Sequence, residues 1–242
     1  MILSRRYFVS AIGATGIAMG QSPSAPGDLV VRKGRIKQSA MQGNFDPKMS
    51  FDDMCRHAAR LGCKGMDSIP PENWPTLRKY GLISSMAPRS FGTVEDGVLH
   101  KDLHPMLEAA MRALVDQCAA NGCPNIVTAG ELRRDMSYEE GADIAVGFFN
   151  RLKAQAEDKG VTYCIEIMGK VNRPDQIFDH LPWGVELCKR INSPRVKILF
   201  DIFHTQTMDG DICNHIRENI QWIGHFHTAG VPAGTRLTTH RS

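Results

Sequence analysis

The feature that most constrains this chain is an apolar run, VKILFDI, at residues 196–202. A continuous apolar run of this length is typical of a strand that is buried on both faces, as in a parallel sheet. Asp201 stands near its C-terminal end, and His204 follows three residues later. In α/β folds, functional side chains cluster at the carboxyl ends of parallel strands. The run therefore predicts a parallel α/β fold and one part of its functional site.

Six other strand-like stretches alternate with helical ones along the chain. Strands are predicted at 35–41, 65–69, 82–88, 125–130, 161–169, 196–202 and 222–230. Helices are predicted at 50–62, around 74–81, and at 100–122, 137–160, 182–192 and 210–220. Strict alternation implies a parallel sheet with helices outside it. Seven strands are one short of a closed barrel, so the predicted fold class is α/β, a (β/α)8 TIM barrel lacking its eighth βα unit. An open doubly wound sheet is the competing fold, but no glycine-rich phosphate loop follows the first strand.

Two further predicted strands also carry side chains that bind metals. Glu166 lies within TYCIEI, and His225 and His227 alternate along WIGHFHTAG, so both histidines point to one face of that strand. These residues have simpler interpretations: an ion pair for Glu166, a helix cap for Asp201, and core packing for His204 and His225. Together, Glu166, Asp201 and His227 predict a site for Mn²⁺, Mg²⁺ or Co²⁺, with Zn²⁺ less favoured.

The first 27 residues have the composition of an export signal. Arg5 and Arg6, followed by Phe8, precede a Gly/Ala-rich apolar stretch and then QSPSAPG. This order of regions is typical of an export signal, and the paired arginines resemble a bacterial twin-arginine signal. We therefore expect residues 1–27 to direct export to the periplasm or another extracytoplasmic location, and residues 28–232 to form the barrel domain.

Composition limits the classes of partner. A length of 242 residues suits one α/β barrel domain, and a net charge of +3 without a basic run gives no support for nucleic-acid binding. No apolar stretch is long enough for a stable membrane association. The seven cysteines form no CxxC pair, so we interpret them as free, buried thiols. A small-molecule substrate is the expected partner, and homo-oligomerisation is left open.

From about Arg35 the chain resembles the hydroxypyruvate isomerase-like branch of the xylose isomerase-like TIM-barrel superfamily of sugar isomerases and epimerases. The resemblance covers most of the remaining chain, and its last two segments are the most specific. It lies in ENWPTLRKYGL (72–82), EEGADIAVGFFNRLKAQAEDKGVTYCIE (139–166), WGVELCKRINSPRVKILFDIFHTQTMDGD (183–211) and IRENIQWIGHFHTAGVP (216–232).

The resemblance implies a metal-dependent aldose–ketose isomerase or epimerase that works by proton transfer through an enediolate. In that family a Glu, an Asp, a His or Gln and a second Glu, from strands five to eight, hold the metal. Glu166, Asp201 and His227 match the first three. Glu166 and His204 are the expected catalytic residues, with His204 and His225 binding a substrate that is an unphosphorylated sugar or hydroxy-carbonyl compound. Gly169 departs from the family, since close relatives tend to carry Asn there.

The last ten residues, 233–242, also depart from the family, whose members continue with a stretch resembling GRHEIDDTQELN. With suitable codons, deletion of one base from that stretch yields AGTRLTTHRS and then a stop, which matches Ala233 to Ser242. We therefore expect an aberrant, frameshifted tail, no eighth strand, unpaired edges on the first and seventh strands, and reduced or absent activity.

Two other functions are compatible with the pattern. One is a non-catalytic exported sugar-binding protein or an inactive fragment, which would not exchange a substrate proton. The other is an endonuclease IV-like DNA repair enzyme, which would need more metal ligands and a more basic groove than this sequence offers.

Overall fold

The computed structural model describes residues 35–231, apart from 90, 91, 94, 95, 129, 172 and 173. The predicted export signal at residues 1–27 and the predicted aberrant tail at residues 233–242 lie outside the described residues. Both remain predictions.

Seven parallel strands follow one another in chain order. They are β1 (Ser39–Ala40), β2 (Gly65–Asp67), β3 (Ile83–Met86), β4 (Asn125–Thr128), β5 (Thr162–Glu166), β6 (Val196–Asp201) and β7 (Ile223–His227). Strands β1 to β3 form one sheet and β4 to β7 another, and a parallel bridge between Ala87 and Ile126 joins the two. His225 on β7 contacts Asp67 on β2, so the strands curve around a common interior. The predicted fold class is confirmed: the described residues form an α/β barrel of seven strands that does not close.

Helices connect the strands on the outside of the barrel. They are α1 (Phe51–Arg60), α2 (Trp74–Lys79), α3 (His104–Asn121), α4 (Tyr138–Lys159), α5 (Leu181–Ile191), α6 (Ile202–Met208) and α7 (Ile212–Asn219). Ser50 and Ser137 accept backbone hydrogen bonds at the starts of α1 and α4. Gly122 and Gly160 end α3 and α4 in the left-handed conformation that favours glycine. No helix in the described part of the chain is long and apolar enough to span a membrane.

The strands are shorter than the sequence predicted. The first was expected over 35–41 and covers two residues, with Ile36 outside it and 78% exposed. Among the described strands it pairs with β2 alone, so pairing on one side supports it. The prediction also missed α6, because its residues, IFHTQTM, were interpreted as the end of a strand and a loop. Asp201 caps this helix, which explains why strand β6 stops there.

The core of the described residues has three parts. The largest part packs the outer faces of the strands against the helices, for example Tyr163 against Phe149. A second part joins Val185 and Cys188 of α5 to Ile198 and Phe200 of β6. A small cluster of Met86, Cys164 and Leu199 contributes apolar packing on the strands. All seven cysteines are free, as predicted, although Cys63 is half-buried and Cys213 is exposed rather than buried.

Candidate functional site

The three predicted metal ligands are the last residues of three neighbouring strands. Glu166 ends β5, Asp201 ends β6, and His227 ends β7. Asp201 and His227 are direct partners in the β6–β7 register, while Glu166 pairs with Leu199 one layer lower. The parallel register places all three at the carboxyl ends of their strands, where a barrel carries its functional groups.

The side chains of these residues converge. His227 Nδ1 lies 3.4 Å from Glu166 Oε1 and 3.9 Å from Asp201 Oδ2. One ligand atom from each residue lies within 4.8 Å of the others, so a single cation can contact all three. The structure therefore brings together the set that the sequence predicted, and their role as ligands remains a prediction.

Asp201 uses its two oxygens differently. Oδ1 accepts hydrogen bonds from the backbone N–H groups of Phe203 (2.8 Å) and His204 (3.1 Å), which caps α6. Oδ2 faces His227. The helix-cap interpretation and the metal-ligand interpretation of this residue are thus compatible.

His204 lies in the first turn of α6, beside the cluster. Its Nδ1 atom is buried and has no hydrogen-bond partner among the described residues. A Cβ atom placed on Gly169, in the loop after β5, would lie 3.3 Å from this nitrogen and 3.1 Å from Thr207 Oγ1. The lack of a side chain at Gly169 therefore lets α6 approach the loop closely.

Asp67, at the end of β2, is a site residue that the sequence prediction missed. It is 4% exposed, and its Oδ2 lies 2.7 Å from His225 Nε2. His225 was predicted to bind substrate, but the structure directs its Nε2 to Asp67. The signal for Asp67 was present, because GMDSI was predicted as a strand with an acidic residue near its end. A carboxylate there follows the same strand-end rule that identified Glu166 and Asp201.

Charge is concentrated around His227. Burial lowers the pKa of His227, but the nearby carboxylates of Asp67 and Glu166 outweigh it and raise the pKa to about 10. Burial raises the pKa of Asp67, but His225 and His227 outweigh it and hold the pKa well below its usual range. The protonated form of His227 is thus favoured beside the acidic side chains of Asp67, Glu166 and Asp201. A set of donors that stabilises a positive charge in this way fits a divalent cation.

Known proteins share this sequence pattern. Residues 55–241 match the family model described as xylose isomerase-like TIM barrel. A 2-oxo-tetronate isomerase from Pectobacterium atrosepticum is 27% identical over 199 residues, which cover 76% of this chain and 74% of that protein. A 2-oxo-tetronate isomerase from Cupriavidus necator is 32% identical over 77 residues, which cover 32% of this chain and only 30% of that protein.

A solved structure shares the fold. The crystal structure of an AP endonuclease, family 2, from Brucella melitensis superposes with a TM-score of 0.71 at 18% identity, over 80% of this chain and 79% of that one. At this identity the likeness concerns the fold alone. The family match extends over most of the chain, and all the candidate ligand residues lie within it: Asp67, Glu166, Asp201, His225 and His227. The chain belongs to the xylose isomerase-like TIM barrel family.

Proposed function

We propose that this protein is a metal-dependent isomerase that interconverts an aldose and a ketose form of a small hydroxy-carbonyl compound. The observation that carries the proposal is the convergence of Glu166, Asp201 and His227 at the carboxyl ends of three adjacent strands. The sequence relatives named isomerases support the reaction class. Mn²⁺, Mg²⁺ and Co²⁺ suit a set of two carboxylates and one imidazole.

Glu166, Asp201 and His227 would hold the ion. When bound, a divalent cation polarises a substrate carbonyl and the neighbouring hydroxyl, which acidifies the proton on the carbon that bears the hydroxyl. Glu166 Oε1 faces His227, so we assign the proton transfer to Oε2. This oxygen takes the proton from the hydroxyl-bearing carbon, leaving an enediolate, and the hydroxyl proton passes to the former carbonyl oxygen. Oε2 then returns its proton to the former carbonyl carbon, so the carbonyl and the hydroxyl have exchanged places. His204, whose buried Nδ1 has no partner in the described structure, is assigned to the substrate oxygens.

The number of bases favours isomerisation over epimerisation. Glu166 is the one glutamate in the candidate ligand groups of the described residues. A single carboxylate can move a proton between neighbouring carbons on one face of a planar enediolate. Inversion at a carbon requires a second acid on the opposite face, and the candidate ligand groups of the described residues contain no second glutamate for that role.

The test is exchange of the substrate's carbon-bound proton with solvent deuterium. Purified protein with Mn²⁺ would be incubated in D₂O with hydroxypyruvate, 2-oxo-tetronate or a free ketohexose, and deuterium uptake measured by mass spectrometry. We expect uptake that stops with EDTA and in Glu166→Gln. If the wild-type protein binds Mn²⁺ yet exchanges no proton in any of these compounds, a non-catalytic sugar-binding protein replaces this proposal.

We also propose export through a twin-arginine pathway, on the basis of Arg5, Arg6 and Phe8. Residues 1–27 fused to a fluorescent reporter should carry it out of the bacterial cytoplasm. Replacing both arginines by lysine keeps the charge and should retain the reporter inside the cell. Equal export of both fusions would refute the twin-arginine assignment.

A further inference from the structure

Three side chains contact the carboxylate of Asp67 at hydrogen-bond distance. Ser68 Oγ donates to its Oδ1 at 2.9 Å, and Ser85 Oγ donates to its Oδ2 at 3.1 Å. His225 Nε2 contacts the same Oδ2 at 2.7 Å. Three side chains, from β3, from β7 and from the residue after β2, therefore fix the orientation of this carboxylate.

The backbone around Asp67 is also irregular. The β2–β3 register shifts between Met66 and Asp67, which is a β-bulge or a similar irregularity. Ser68 has a φ of +55°, a left-handed conformation that a residue with a side chain adopts at a cost. Bulges of this kind re-aim a side chain. Here the irregular backbone accompanies an Asp67 side chain that reaches β7 across the interior.

The carboxylate faces one nitrogen of His227, and the candidate ligands face the other. His227 Nε2 lies 3.6 Å from Asp67 Oδ1, is buried, and has no hydrogen-bond partner among the described residues. His227 Nδ1 faces Glu166 and Asp201. A neutral imidazole has one N–H group and one lone pair, so a ring that offers Nδ1 to a cation carries its proton on Nε2.

We propose that Asp67 is a positioning residue that selects this tautomer of His227 and holds its ring with Nδ1 toward the cation. This role rests on the proposed metal-dependent function. A small movement of the His227 ring closes the 3.6 Å gap to hydrogen-bond distance. His225, Ser68 and Ser85 keep the Asp67 carboxylate in place. In this proposal His225 supports Asp67 and does not contact the substrate. Outer partners of metal-binding histidines commonly act in this way.

A second cation held by Asp67, His225 and His227 is the competing interpretation, since their ligand atoms also lie within 4.8 Å of one another. It would have to displace the 2.7 Å contact between Asp67 and His225. The serine hydroxyls already occupy further lone pairs of the carboxylate. The existing contacts therefore favour the positioning role.

The experiment compares Asp67→Asn with wild type and with Asp179→Asn. Asp179 is fully buried and bonded to Tyr138 and Lys170, so it controls for the loss of a buried carboxylate. Isothermal titration with Mn²⁺ should give one ion per wild-type chain. We expect Asp67→Asn to weaken binding about 10- to 100-fold, and Asp179→Asn to change it less than about twofold.

A second measurement reads the position of the His227 proton directly. In Zn²⁺-loaded wild-type protein, ¹H–¹⁵N NMR should show the His227 proton on Nε2, and this signature should change in Asp67→Asn. Wild-type affinity in Asp67→Asn, a proton on Nδ1, or two ions per chain with one lost in the variant would each overturn the positioning role. If wild-type protein bound no ion at all, the metal-dependent function would fail first.

Discussion

The two halves of the barrel contribute to the candidate site in different ways. Strands β4 to β7 are four to six residues long, and three of them end in a predicted ligand. Strands β1 to β3 are two to four residues long and supply Asp67. Asp67 faces the Nε2 atom of His227, whereas Glu166 and Asp201 face its Nδ1 atom. One half thus presents the groups for chemistry, and the other half holds one of those groups in place.

The largest expected effect separates these two contributions. Glu166→Gln should reduce proton exchange at least about 100-fold, because it removes the base, and added Mn²⁺ should not restore it. Asp67→Asn should regain exchange to within a few-fold at saturating Mn²⁺, because only the affinity is impaired. Initial rates of deuterium uptake against Mn²⁺ concentration measure both. Recovery of Glu166→Gln by excess metal would contradict the assignment of the base.

The site residues could be predicted from the sequence where the strand that carries them has a clear apolar pattern. The run VKILFDI is apolar on both faces, so β6 and its terminal Asp201 could be predicted directly. Glu166 and His227 followed from the same strand-end rule. Asp67 follows the same rule and could have been selected, but its contacts with Ser85 and His225 and the bulge beside it are not encoded in any local pattern. Helix α6 was missed because Asp201 both ends a strand and caps a helix.

The junction between the halves should respond to pH through Glu131, which follows β4. Its Oε2 accepts the N–H of Leu99 at 2.9 Å, and Oε1 accepts that of Val98, so the carboxyl binds the loop after β3. Burial raises the pKa of Glu131 to about 7, although these N–H groups favour the carboxylate.

The sign of the effect follows from that raised pKa. The folded protein holds the proton more tightly than the unfolded chain, whose glutamates titrate near 4.5. The contribution of the protonated Glu131 side chain to the free energy of unfolding is therefore fully present below about pH 4.5 and is lost as the pH rises through about 7. The loss is at most about 3 kcal/mol. Urea unfolding across this range measures it, and Glu131→Gln should flatten the slope. An equal slope in that variant would assign the pH dependence to other groups.

Asp201 caps α6 through Oδ1 and faces His227 through Oδ2, so its substitution by Asn and by Ala should differ in unfolding free energy. Asp201→Asn keeps a good helix cap, whereas Asp201→Ala removes it and should cost about 1 kcal/mol of unfolding free energy. Both should weaken Mn²⁺ binding, because both remove the charge that faces His227. Urea unfolding with EDTA and Mn²⁺ titration separate the cap from the ligand. Equal unfolding free energies of the two variants would show that the cap contributes little.

The smallest expected effect concerns the contact between the loop after β5 and α6. Gly169→Ala places a methyl group 3.1 to 3.3 Å from Thr207, Met208 and His204, which is tighter than ordinary contact. Gly147→Ala, within α4, meets no atom within 4 Å and should stabilise the helix by about 1 kcal/mol.

We therefore expect Gly169→Ala to gain no stability over wild type, which leaves it about 1 kcal/mol less stable than Gly147→Ala, and to raise KM because His204 shifts with α6. Unfolding by urea and steady-state exchange kinetics measure the two effects. If Gly169→Ala matched Gly147→Ala in stability and left KM unchanged, the loop would have room for a side chain. The close approach of α6 would then be a consequence of the Asp201 cap alone. The half of the barrel formed by β4 to β7 would also tolerate more added side-chain volume near His204 than its packing indicates.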